Sequence, residues 1–201
     1  MTFYLQSCAS LVARWGRDRA GATAIEFGMV GLPFLMLIVS TIFVGFILYS
    51  QSALDYATQK AARQVFVGNT QSSAQTADLF RTQTLCPQLP AAFNCSNVIV
   101  SLQTVPSDQV TPSHYYDFVN ATQTGLIVPQ LSNTVTKFCP GGSGQYKLLQ
   151  VFYPMPVFLS IFASSPQVIT YGGGSAFLLM SAAAFKNEPF NNGGYTAPVG
   201  C

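Results

Sequence analysis

At 201 residues, with nine Lys and Arg against seven Asp and Glu for a net charge of +2, the chain is long enough for one modest domain beyond a membrane helix. It has no basic patch or stripe of the kind that nucleic-acid binding needs. Its single histidine leaves catalysis by acid and base, and zinc ligation, almost without candidates.

The first 21 residues carry Arg14, Arg17 and Arg19 and end in the small-residue site Gly21-Ala22. Without them the rest carries six basic and six acidic residues, formally neutral. From Phe27 to Tyr49 there follow 23 uncharged residues, about 35 Å of helix and enough to cross a bilayer with some tilt. A cleaved secretory signal would have a much shorter apolar region, of about 7 to 15 residues. Three arginines before the span, against Lys60 and Arg63 after it, place the N-terminus in the cytoplasm and the body in the periplasm. Glu26 stands at the mouth of the span, where an ionisable group costs roughly 2.5 to 3.5 kcal/mol to insert and is by default a functional hypothesis. The alternative is a plain anchor in which Glu26 lies among the headgroups by accident.

The apolar pattern continues past the span, with Leu54, Ala57, Ala61, Val65 and Phe66 at intervals of three and four and Asp55, Gln59, Lys60 and Arg63 on the complementary side. Residues 22–66 therefore read as one helix, half in lipid and half the spine of a domain, stopped by Gly68 and Asn69. Pro33 removes the hydrogen bond to the Met29 carbonyl and predicts a kink or local unwinding. Residues 67–201 form the body. A short helix is expected over 73–84, and strands over 98–105, 145–158 and 175–185, where the last segment is also compatible with a helix. Pro154 and Pro156 demote the end of the second strand to an edge or exit. The fold class is α+β: a long N-terminal transmembrane and amphipathic helix packed on a small antiparallel sheet.

Cys86, Cys95, Cys139 and Cys201 all follow the span, an even number on its far side that permits three pairings. Cys86 with Cys95 would close a short loop, and Cys139 with Cys201 would tie down the tail. The spacings lack the close pairs of zinc sites, so no metal is expected. His114 and Asp117 have no nucleophile motif near them. The glycine clusters match neither dinucleotide nor Walker loops, so no catalytic residue and no cofactor is assigned.

Two segments resemble the TadE-like minor pseudopilins of the tight-adherence (Flp) pilus system. One is Gly21-Ala22-Thr23-Ala24-Ile25-Glu26-Phe27, followed by a proline-containing span, Ala61-Ala62-Arg63 and Val67-Gly68. The other is residues 183–190, Ala-Ala-Phe-Lys-Asn-Glu-Pro-Phe, with Val151-Phe152-Tyr153-Pro154 before it. The resemblance implies a pilin-like fold and removal of the leader 1–21 by a prepilin peptidase, with the chain as its substrate. It also implies a nonenzymatic role at the inner membrane beside other pilins, pseudopilins and pilus assembly proteins. Glu26 then lies one helical turn from the new amine of Ala22 and can meet that amine or a neighbour's. The alternative function is a membrane-tethered periplasmic binding module that is not processed at Gly21.

Overall fold

The computed structural model describes residues 20–73, 76–105, 118–122, 125–128, 131, 136–157, 168–190 and 201, except for the side chains of 20–23 and 72. Most of the basic leader, including Cys8 and Trp15, and the His114 and Asp117 pair lie outside the described residues. The chain divides into two units, Met1–Leu48 and Tyr49–Cys201. Their boundary falls within the long helix α1 (Ala20–Phe66).

In the first unit, α1 is apolar and largely exposed: Phe27 is 79% and Met29 76% accessible, and large apolar side chains other than the buried Phe43 remain open along the helix to Leu48. The helix is long and apolar enough to cross a membrane, with a mean hydropathy of 2.4 over its most apolar window. Two of its hydroxyls are satisfied locally, Ser40 and Thr41 donating to the carbonyls of Met36 and Leu37 at 2.7 and 2.8 Å. Such bonding suits a solvent that offers no partners. Pro33 lies inside the helix, which remains helical on both sides of it.

The second unit opens with the remainder of α1. Here Leu54, Ala57, Ala61 and Val65 are fully buried, whereas Gln59, Lys60, Arg63 and Gln64 are exposed. This is the amphipathic pattern expected from the three- and four-residue spacing. The two alanines keep that buried side thin, which lets a backbone approach closely. Gln51 bridges helix and sheet by donating from Nε2 to the Met180 carbonyl at 2.9 Å.

Beyond α1 come α2 (Asn69–Ser73), α3 (Ala77–Leu79), a wide turn at Phe80–Leu85 and two tight turns at Cys86–Gln88 and Cys95–Asn97. The single helix expected over 73–84 is thus divided. Its second half starts at Thr76, whose hydroxyl accepts from the Leu79 N–H at 3.3 Å, as a capping residue does.

Four strands follow: β1 (Ile99–Val105), β2 (Tyr146–Pro156), β3 (Val168–Tyr171) and β4 (Gly174–Lys186). They form one antiparallel sheet in the order β1-β2-β4-β3. The segment 175–185, compatible with either state in sequence, is a strand because it pairs with β2 along its length. β3 is a four-residue strand that the sequence pattern did not single out; it joins β4 through a turn at Gly172 and Gly173, both at positive φ.

Pro154 lies inside β2, and the register explains why it is tolerated. The Val157 N–H bonds to the Ser175 carbonyl, so alternate residues Met155 and Tyr153 point their backbone groups at β4. Pro154 and Pro156 face the other way. On that side β1 has already ended, because its last partner is Phe152. The missing donors therefore fall where no strand among the described residues needs them, which makes the expected exit position specific.

The core includes the buried side of α1 and, on one face of the sheet in register, Val100, Leu102, Leu149, Val151 and Leu179. The other face holds Ile99 and Phe152, both fully buried, but opens to solvent at Ala182, Ala184 and Lys186.

Candidate functional site

Three places carry the chemistry: the start of α1, the joint between the end of α1 and the end of the sheet, and the cysteine staples. At the start, Gly21 and Ala22 are already helical, and the helix runs through Glu26 and Phe27. Glu26 is exposed and forms no ion pair among the described residues. Phe27 folds its ring back beside Gly31, where a Cβ would lie 3.6 Å from the ring. Ala22 and Glu26 are four residues apart, a rise of about 6 Å along the helix.

At the joint, the two segments that carry the family resemblance come together. The Glu188 N–H donates to the Phe66 carbonyl at 3.0 Å, satisfying one of the acceptors that a helix end leaves open. Gly68 adopts φ +86°, and the Phe190 ring lies against its α-carbon so closely that a Cβ would fall 2.7 Å from Cγ. Only glycine fits there, both for backbone conformation and for space. Asn187, 2% exposed, donates from Nδ2 to the carbonyls of Pro140 and Gly142, while Gln71 donates to those of Pro140 and Gly141. The 140–144 turn is thereby clamped from both sides.

Under this turn lies Lys147, 1% exposed, its ammonium bonded to the Thr104 hydroxyl on the neighbouring strand and overlain by the Gly141 backbone. Burial alone lowers its pKa from 10.5 to about 8. Sequence reasoning missed Lys147, Gln71 and Asn187. For Lys147 a signal exists: strand alternation puts it on the face of Leu149 and Val151. Gln71 and Asn187 bond to carbonyls about 70 and 45 residues away in sequence, so nothing local marks them.

The cysteines pair as Cys86–Cys95 and Cys139–Cys201, with Cα separations of 5.9 and 5.5 Å. The first closes the loop that contains Pro87 and Pro90. The second fixes Cys201 beside the strand-like residue Phe138, which bridges Leu102 of β1.

The start of α1, the four-stranded antiparallel sheet and the disulfides define an α+β protein with one N-terminal helix of membrane-spanning length. Over residues 21–63, from Gly21 through the apolar span to Arg63 of Ala61-Ala62-Arg63, the chain matches the family model described as TadE-like protein. No curated protein and no solved structure matches. The resemblance read from the sequence thus holds over the N-terminal helix.

Proposed function

We propose that this chain is a minor pseudopilin that acts without catalysis in assembling a tight-adherence (Flp-type) pilus. In this reading a prepilin peptidase removes the leader 1–21, residues 22–66 anchor the product in the inner membrane, and the body 67–201 works in the periplasm beside other pilins, pseudopilins and assembly proteins. The observation that carries it is the TadE-like match from Gly21 to Arg63, which covers both the small-residue site and the exposed apolar helix with Glu26 at its mouth. A carboxylate in that position has a purpose if it meets the amine created at Ala22, since a charge placed at the edge of lipid needs a partner. The neutral body and its disulfides are in keeping with an oxidising compartment and with packing against other chains.

The test is the N-terminal sequence of protein extracted from membranes of cells that make the pilus. It should begin at Ala22. Gly21→Lys, which adds bulk and charge at the scissile position, should leave the leader in place. An intact leader on the wild-type protein in such cells would overturn the proposal in favour of a tethered periplasmic module.

A further inference from the structure

Beside the exposed side of α1 in the second unit lies a cleft of about 530 Å³. Lys60 and Arg63, one turn apart on the helix, stand on one side of it, and Gln83 and Gln88 come from the turns that follow α3. Among the described residues, no acidic side chain lines it. Neither cation forms an ion pair among the described residues, where Arg81 pairs with Asp78. Lys60 is held over the Tyr56 ring at 4.8 Å, which positions the ammonium without neutralising it. Thr70, 1% exposed, also lines the cleft, and its hydroxyl has no hydrogen-bond partner among the described residues. Leaving a buried hydroxyl unpaired costs stability unless something arrives to bond it.

We propose that this cleft is a binding site for a carboxylate-bearing peptide segment of a partner protein. Two unpaired cations in a chain whose remainder after Gly21 is formally neutral make a local positive field that an acidic side chain complements. Arg63 offers the planar fork that takes a carboxylate with two parallel bonds. The glutamines favour a peptide over a phosphate. Each amide presents a carbonyl acceptor as well as two donors, which matches the alternating N–H and C=O of an extended backbone. A phosphate accepts only and would leave those carbonyl oxygens facing negative charge. A lipid headgroup is also disfavoured, because Arg63 is 14 residues beyond Tyr49, about 21 Å along the helix from the end of the apolar run. The inference stands independently of the pilus role, since it concerns the second unit alone.

The experiment measures fluorescence anisotropy of a labelled hexaglutamate peptide titrated with the purified full chain in nonionic detergent, with hexaglutamine as the control. Hexaglutamate should bind saturably and lose affinity with added salt, while hexaglutamine should not bind. Lys60→Gln with Arg63→Gln should weaken binding about tenfold or more, the scale expected for two exposed charge contacts. Thr70→Val should weaken it severalfold. The substituted cations are solvent-exposed, and an unchanged melting temperature confirms that these variants fold. Equal binding by the double variant, absence of saturable binding, or displacement by inorganic phosphate at concentrations below those of free glutamate would overturn the proposal. So would retention on phosphatidylglycerol vesicles, but not phosphatidylcholine vesicles, that the double variant loses in the absence of peptide binding.

Discussion

Lys147 shows how a single side chain can work against the fold that holds it. Its ammonium is buried against the Thr104 hydroxyl and the Gly141 backbone, and burial brings its pKa down to about 8 from 10.5. Below pH 8 both folded and unfolded states carry the proton, so its effect on stability is constant. Between pH 8 and 10.5 the unfolded chain holds more protons than the folded one, so stability rises with pH through that window. Denaturant midpoints measured from pH 7 to 10.5 should show this rise in the wild type relative to Lys147→Met. The variant should also be the more stable at pH 7, because an apolar side chain of similar length avoids burying a charge. Gly68 is a constraint of the opposite kind, where the residue type is demanded by its neighbour. Gly68→Ala should cost about 1–3 kcal/mol, combining strain at φ +86° with collision against Phe190. Made in a Phe190→Ala background it should cost less, since only the backbone strain remains. Additive effects of the two changes on thermal unfolding would exclude the contact.

Each element owes its termination to a specific partner. α1 stops where Gly68 turns the chain and Glu188 returns to take the Phe66 carbonyl, so the end of the helix is fixed by residues over a hundred positions away. β2 extends beyond β1 because its prolines direct their missing donors to the vacated side. The C-terminal residue is fixed covalently: Cys139–Cys201 closes a loop of 62 residues and Cys86–Cys95 one of nine. In the chain-entropy account these stabilise by about 4 and about 2.5 kcal/mol. Replacing Cys139 and Cys201 by serine should therefore lower stability more than replacing Cys86 and Cys95, as read by chemical denaturation without reductant. All four thiols should resist alkylation until a reductant is added.

At the scale of the whole molecule, the helix from Ile25 to Leu48 carries an exposed run of large apolar side chains. That surface needs lipid or other helices. Glu26 discriminates between the two. If the helix were only an anchor, Glu26→Ala would ease insertion by about a kcal/mol or more and leave function intact. If instead the carboxylate pairs with a neighbour's Ala22 amine in an assembly, losing it strands a charge at a cost of roughly 3–5 kcal/mol if fully buried, less near the headgroups. Membrane fractionation of Glu26→Ala and Glu26→Gln should accordingly look normal while surface pili are lost. Normal pili from both variants would reduce Glu26 to a bystander.

The sequence by itself determined the features that depend on local pattern. The apolar run, the three- and four-residue spacing that follows it, and the β-branched and aromatic runs 98–105 and 145–158 each announce their state within a short window. The family resemblance at Gly21 to Phe27 and Ala61 to Arg63 was legible for the same reason, since it rests on contiguous residues, and the family match covers that stretch. The tertiary structure alone decided what depends on residues distant in the chain. It chose strand over helix for 175–185 by pairing it with β2, and gave the four residues of β3 a partner that their own pattern could not specify. It also brought Gly68 to Phe190, set Lys147 beneath Gly141, and faced the prolines of β2 toward the side where the pairing with β1 has ended. The physical reason is that backbone pairing and close packing are satisfied across long sequence separations. A local pattern can state which face is apolar, but not what will cover it.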